Sequence, residues 1–183
     1  MSNRSSILKL LNDCGAMSRK DIAIELGLTP ATVTLICTEL ISAGILCEKG
    51  EVEEERRAGR RKVLIDINYQ YRYVLSVSIE AAKTCIAISN LKGLCLGAKW
   101  MPTDGGQDPE KFLKTVADEG KALMWEQGIT KDMVLGIGVS VPGPVSRRTG
   151  ISQHAYRIWN KAVAVGELIG KQMDLPVIVE NNV

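Results

Sequence analysis

Threonine side chains dominate a short segment that carries no charged residue. The segment 29–38 reads TPATVTLICT. A threonine hydroxyl can bond a base edge or a phosphate, and its methyl group fits against the methyl group of thymine. Because the segment offers no arginine for a bidentate contact to guanine, the pattern predicts an A·T-rich DNA site. The predicted base contacts are Thr29, Ala31, Thr32, Thr34 and Thr38.

Positive charge is placed on both sides of this segment. Before it, Ser18, Arg19 and Lys20 are predicted to hold phosphates. After it, an acidic block is followed by a basic run beside Gly59, and such arginines suit the negative potential of a narrow minor groove. The alternative is a solvated hairpin tip that folds back on its own glutamates. The basic run comprises Arg56, Arg57, Arg60, Arg61 and Lys62.

The threonine segment is predicted to lie on the second of two short helices. Ser18 with Asp21 forms the start of the first, in the manner of a capping box, and Gly27 ends it. Thr29 and Pro30 start the second as N-cap and first helical residue. A generic helical hairpin with a buried second helix is the alternative. The inward stripe of the second helix is Val33, Ile36, Cys37 and Leu40.

Further elements surround the helix pair. An amphipathic helix is predicted over 4–14, and short strands rich in branched residues over 45–47 and 63–67. Three helices followed by a two-stranded ribbon make a winged helix-turn-helix. We therefore predict a DNA-binding domain over residues 1–70.

Composition narrows the class of protein. The chain has 183 residues, a formal net charge of +2 and 4% aromatic residues. No apolar run approaches the roughly 20 residues of a membrane span, and polar residues interrupt the N-terminal helix as they would not in a signal peptide. Five cysteines without a C-x-x-C spacing, and His154 as the single histidine, favour reduced thiols. We expect a cytoplasmic protein that binds no metal, no cofactor and no membrane.

Residues 71–183 follow a different pattern, in which three antiparallel strands precede alternating helices and strands. The predicted strands are 73–79, 84–90, 94–100, 133–139 and 177–179, and the predicted helices are 108–127 and 163–173, with a glycine- and proline-rich loop over 140–149. This order is that of a ribonuclease-H-like lobe of the actin and sugar-kinase type. With the winged helix, it places the chain in the α+β class.

Short motifs along the chain add to this interpretation. They are Gly27-Leu28-Thr29, Ala31-Thr32-Val33, Gly44-Ile45-Leu46 and Gly59-Arg60-Arg61, then Gly136-Ile137-Gly138, Pro142-Gly143-Pro144-Val145, Trp159-Asn160 and Val179-Glu180-Asn181. In this combination the chain resembles the ROK family (repressors, open reading frames and kinases), in its transcription-regulator branch. The resemblance implies a repressor of carbohydrate-utilisation genes whose sensor presents Gly143, Asn181 and Asn182 to a sugar.

The chain departs from the kinases of that family at two places. Their aspartate-x-Gly-Gly-Thr phosphate loop is replaced by Ser78, Glu80, Ala81 and Ala82, and their catalytic aspartate by Asn182. Without the glycines the backbone cannot approach a phosphate closely, and Glu80 repels it. An amide cannot act as a general base. We therefore predict that the chain is not an enzyme.

The resemblance also implies a second lobe that would follow residue 183 and complete the sugar site. Residues 71–183 are thus expected to form the first lobe of an incomplete sensor domain. The expected partners are double-stranded operator DNA, a small sugar effector and a second copy of the chain in a homodimer. Two alternatives stay open: a DNA-binding or dimerisation module that binds no effector, and a ROK sugar kinase.

Overall fold

The computed structural model describes residues 2–52 and 62–182, in two compact units, Met1–Tyr71 and Arg72–Val183. The first unit combines three helices with a small antiparallel sheet of strand order β1-β3-β2. Strand β1 was missed by the sequence analysis because two residues cannot show an alternating pattern. The elements are α1 (Asn3–Cys14), β1 (Met17–Ser18), α2 (Arg19–Leu26), α3 (Pro30–Ser42), β2 (Leu46–Val52) and β3 (Lys62–Ile67).

Local capping fixes the boundaries of α2 and α3. The Ser18 hydroxyl accepts a hydrogen bond from the Asp21 backbone N–H at the start of α2. Gly27 ends α2 in the left-handed conformation, with φ 62°, which glycine adopts at low cost. Thr29 caps α3 by accepting from the Thr32 N–H. The predicted helix–turn–helix is therefore present with the predicted caps.

The helices of the first unit bury one face each against a common core. From α3, the buried side chains are those of the predicted stripe, while α1 and α2 contribute Ile7, Leu11, Ile22 and Ala23. Strands β2 and β3 add Leu46 and Ile65. Among the described residues, the side chains of Ala31, Thr34, Leu35 and Thr38 on the opposite side of α3 are exposed.

The second unit is a five-stranded mixed sheet with two helices. Strand order is β10-β7-β4-β5-β6; β10, β7 and β4 run parallel, and β5 is antiparallel to both its neighbours. The order of strands and helices agrees with the predicted lobe. The elements are β4 (Tyr73–Ile79), β5 (Lys83–Asn90), β6 (Cys95–Pro102), α4 (Pro109–Glu126), β7 (Val134–Val141), β8 (Val145–Ser146), β9 (Ile151–Ser152), α5 (Val165–Met173) and β10 (Val177–Asn181), with a 3₁₀ turn at Lys131–Met133.

The predicted loop over 140–149 differs in detail from the structure. Strand β7 extends to Val141, and the loop then forms a small hairpin in which β8 pairs with β9. Gly150, with φ 67°, donates its backbone N–H to the Ser146 carbonyl at 2.8 Å and closes the turn. Strands of two residues are too short to show the alternation of apolar and polar residues that identifies a strand. The glycine and proline content of the segment therefore predicts a loop. Within the described residues, no helix is both long and apolar enough to cross a bilayer.

Candidate nucleic-acid interface

The outer face of α3 presents small and apolar side chains to solvent. Ala31, Thr34 and Thr38 are exposed, as predicted, and the buried stripe lies on the opposite side of the helix. Leu35 belongs to the same outer face and is 63% exposed. The helix therefore offers a surface of methyl and hydroxyl groups, of a width that enters a major groove.

Thr29 and Thr32 occupy the N-terminal end of this face and are bonded to each other. Their hydroxyl oxygens lie 2.8 Å apart, and the Thr29 hydroxyl also accepts from the Thr32 N–H at 3.2 Å. Thr29 is exposed and Thr32 half-buried. Both hydroxyls thus stabilise the helix start, while Thr34 and Thr38 lie further along it.

The three residues predicted to hold phosphates have different surroundings. Ser18 is 4% exposed, and its hydroxyl donates to the Asp21 carboxylate at 2.7 Å, so this side chain caps α2 and does not face solvent. Lys20 is exposed. Ser18 therefore does not belong to the surface that a nucleic acid can reach.

Arg19 is engaged by an acidic residue of the wing strand β2. Its Nη2 donates to Glu48 Oε1 at 3.1 Å, and its side chain is 29% exposed. Its Nε is buried without a hydrogen-bond partner in the described part of the chain. Burial raises the pKa of the Cys37 thiol on α3, and the Arg19 charge opposes that shift. Arg19 is thus held close to α3 in an ion pair that a phosphate could replace.

The wing is described in part. Lys62, the first residue of β3, has its Nζ 3.9 Å from Asp21 Oδ1. The strands β2 and β3 that lead into and out of the wing tip pair in antiparallel fashion as far as Val52 and Lys62. The other predicted wing contacts, Arg56, Arg57, Arg60 and Arg61, lie outside the described residues.

Sequence reasoning missed Leu35. The helical period indicates its exposure, because Leu35 is a large apolar residue that falls between positions of the buried stripe of α3. A leucine that the core does not use, placed on the threonine face, belongs to the candidate interface.

The second unit brings its predicted sugar-facing residues to one edge of the sheet. Strands β7 and β10 run parallel with Val141 opposite Asn181, and the Asn182 N–H donates to the Val141 carbonyl at 3.2 Å. Gly143 lies two residues after the end of β7. Carboxyl ends of parallel strands beside a change in strand order are where ligands bind in open α/β sheets. Asn181 and Asn182 are exposed at this edge.

Gly143 has a packing role at this edge. It is buried, with φ 99°, and a Cβ at this position would lie 2.5 Å from the His154 carbonyl oxygen. The backbone of the 153–160 segment therefore packs directly on Gly143. That segment lines an open depression of about 610 Å³, while Trp159 is buried and donates its Nε1–H to the Ser152 hydroxyl at 3.1 Å.

The segment that the family resemblance aligns with the kinase phosphate loop forms a tight turn. Glu80 donates its N–H to the Lys83 carbonyl at 3.0 Å, so β4 and β5 are joined through Ala81 and Ala82. Glu80 is exposed beside the parallel-strand edge. Among the described residues, no cluster of histidine, cysteine, aspartate and glutamate could hold a metal ion.

Comparisons with known proteins agree with the geometry of the first unit. Residues 2–46 match a family model described as winged helix-turn-helix DNA-binding. The chain is 27% identical over 179 residues to the xylose repressor of Caldicellulosiruptor bescii, covering 98% of this chain and 44% of that protein. It is 20% identical over 184 residues to the DNA-binding transcriptional repressor Mlc of Escherichia coli, covering 100% of this chain and 45% of Mlc. The chain thus spans less than half the length of these relatives.

Solved structures give the same result. A ROK family transcriptional regulator, a homologue of E. coli Mlc, matches with a TM-score of 0.71 and 27% identity over 98% of this chain and 45% of that one. A glucokinase from Parabacteroides distasonis matches over 63% of this chain and 32% of its own, with a TM-score of 0.52 and 18% identity, which shows a shared fold alone. These findings confirm the resemblance to ROK-family regulators and the predicted fold class.

Proposed function

We propose that this chain is a DNA-binding transcriptional regulator that represses carbohydrate-utilisation genes and that it reads operator DNA with α3. The observation that carries the proposal is the exposed outer face of α3 at Ala31, Thr34 and Thr38, within a segment, 29–38, that holds no charged residue, on a helix whose other side forms the core. In helix-turn-helix proteins the second helix enters the major groove with its N-terminal residues against the base edges. Thr29 and Thr32 belong to that N-terminal end.

Phosphate contacts position the protein without reading sequence. Arg19 and Lys20, at the start of α2, are proposed to contact the backbone beside the groove. Lys62 and the wing arginines at 56, 57, 60 and 61 are proposed to contact the flanking minor groove. The sequence run of basic residues supports this assignment.

Selection of bound sequences from a random DNA pool tests the proposal. We expect enrichment of an A·T-rich palindrome, with half-sites about one helical turn apart, because a symmetric dimer would read it. Affinity should fall with rising salt in proportion to the phosphates contacted. A chain with the wing arginines at 56, 57, 60 and 61 replaced by alanine should bind more weakly with a smaller salt slope. Recovery of a pool no different from the input would refute DNA reading by this chain.

A sugar effector is the second part of the proposal. The exposed amides of Asn181 and Asn182, at the carboxyl edge of the parallel strands, can hydrogen-bond hydroxyl groups. Since the related repressor of C. bescii is named for xylose, a panel of pentoses and hexoses is the appropriate probe. A ligand that binds the folded state raises the melting temperature. A rise with one sugar that Asn181→Ala abolishes would support effector binding. No rise with any sugar, together with retained operator binding, favours the module that binds no effector.

We further propose that the chain does not transfer phosphate. The resemblance aligns Asn182 with the catalytic base of the kinases and Glu80 with their phosphate loop, and Glu80 lies in a tight turn. The C. bescii relative and Mlc, which match along almost the whole chain, carry repressor names. A coupled assay with ATP and the same sugars is expected to show no turnover above a protein-free blank, and measurable turnover would contradict the proposal.

Neutralising Glu48 is expected to strengthen DNA binding. Because Glu48 pairs with Arg19 at 3.1 Å, Glu48→Gln should release the guanidinium for a phosphate and remove a negative charge near the DNA. Exposed ion pairs contribute roughly 0.2–1 kcal/mol, so a gain of about threefold in affinity is expected. Titration of the selected operator at two salt concentrations measures it.

The matched control for this variant is Glu126→Gln. Glu126 forms an ion pair of the same kind with Lys99, at 2.7 Å, in the second unit. Its neutralisation changes net charge equally but should leave operator affinity within the error of the measurement. Equal gains from both variants would mean that net charge, and not release of Arg19, is responsible.

A further inference from the structure

Leu35 is an apolar side chain that lies outside the core of the described part of the first unit. It is 63% exposed, while Val33, Ile36 and Cys37 around it in sequence are buried. On a helix, residues three or four apart are neighbours on the surface. Leu35 therefore shares a surface patch with Ala31 and Thr38, and the adjacent Thr34 is also exposed.

This patch offers methyl groups; the exposed carboxylate of Glu39, four residues after Leu35, is ion-paired with Arg4. The side chains of Ala31, Leu35 and Thr38 each end in at least one methyl group, and the segment from 29 to 38 holds no ionisable group except the buried Cys37 thiol. An isolated exposed leucine is common on protein surfaces and requires no explanation. A leucine placed among the proposed base-reading residues is different, because it would be pressed against base edges when DNA is bound.

The major groove has one apolar group that a leucine can contact. That group is the C5-methyl of thymine, whereas cytosine has a hydrogen at the same C5 position. Every base pair also presents hydrogen-bonding atoms in the groove, so for a leucine the methyl group is what distinguishes thymine. Contact with Leu35 thus favours thymine over cytosine at the same position, by the burial of one methyl group.

We propose that Leu35 is a specificity-determining residue that selects thymine by packing on its C5-methyl group, with Ala31 forming the other wall of the contact. The inference rests on the proposed function, since it requires α3 to enter the groove. Thr34 and Thr38 then supply the hydrogen bonds of the same face. The operator is expected to show a preference for thymine over cytosine at one position of each half-site.

Uracil substitution tests this contact with a single-group change. Deoxyuridine pairs as thymidine does but lacks the C5-methyl group. In the selected operator, replacing each thymine in turn should weaken binding of the unchanged chain about fourfold at the position facing Leu35, the factor expected for one buried methyl group. The Leu35→Ala chain should bind the thymine operator more weakly and lose less than about 1.5-fold on the same substitution.

Ile24→Ala is the matched control. Ile24, on α2, is exposed to a similar extent, at 66%, and should retain the unchanged chain's sensitivity to uracil at every position. Both variants are expected to fold, because neither side chain belongs to the core. Far-UV circular dichroism during heating checks this.

The outcomes separate this inference from the proposed function. Failure to enrich any sequence from the random pool refutes both. Specific binding with an identical uracil profile in the unchanged chain and in Leu35→Ala refutes the role of Leu35 alone. An altered oligomeric state in Leu35→Ala, with that profile unchanged, would assign Leu35 to a protein–protein contact instead.

Discussion

A Thr34→Glu chain is expected to lose operator affinity by about 100-fold, which corresponds to roughly 2.7 kcal/mol. Thr34 is exposed on the outer face of α3, where the proposed complex brings it into the groove. A carboxylate there would lose its water next to acceptor atoms and phosphates of the same sign, and the desolvated charge would find no partner. Glutamate is a good helix former, so α3 itself should be retained. Titration of the selected operator measures the loss.

Two further variants isolate the cause. Thr34→Gln has nearly the same shape without the charge, and a loss about tenfold smaller is expected for it. Thr115→Glu places the same carboxylate on an exposed threonine of α4 in the second unit and should leave affinity within about twofold. Binding by Thr34→Glu within threefold of the unchanged chain would contradict entry of α3 into the groove.

Local rules were sufficient to predict the helix–turn–helix. The caps at Ser18 and Thr29 and the left-handed residue at Gly27 depend on neighbours within a few positions, and the structure has all three. The stripe from Val33 to Leu40 follows from the period of the helix alone. These features could be read from sequence because no distant contact is needed to form them.

Long-range pairing explains what the sequence did not show. The ion pair between Arg19 and Glu48 joins residues 29 positions apart, and strand β1 exists only because β3 pairs with it. Burial of Ser18 likewise depends on how α2 meets the sheet. Residue type suggested a phosphate contact for Ser18, whereas its hydroxyl is engaged locally by Asp21, three residues on.

The second unit shows the same division between local and long-range information. The local residue pattern predicted β4 and β5, and residues along β4 alternate between more and less buried in the structure. The two strands pair in a continuous register from Tyr73↔Asn90 to Ile79↔Thr84. Gly143, Asn181 and Asn182 lie at one edge of the sheet because β7 and β10, about 40 residues apart in sequence, pair in parallel. Residue composition carries no information about such a pairing. Resemblance to a family, and not the spacing of residues, pointed to that edge.

Gly143→Ala is expected to destabilise the second unit by roughly 3 kcal/mol. An added Cβ would lie 2.5 Å from the His154 carbonyl oxygen, at a backbone φ of 99°. A side chain in this region of φ costs about 1 kcal/mol or more, and forced displacement of packed backbone costs about 1–3 kcal/mol in addition. For a unit of this size the loss corresponds to a fall in melting temperature of about 12 °C.

Tryptophan fluorescence measures this loss for the second unit alone, because Trp100, Trp125 and Trp159 all lie within it. Gly93→Ala is the matched control: Gly93 has φ 82°, but a Cβ there meets no atom within 4 Å. It should lower the melting temperature by about 4 °C, from backbone strain alone. The difference between the two variants then measures the close approach of residue 143 to the 153–160 segment. Equal effects would mean that Gly143 is required for its conformation only, and that the packing against His154 can relax.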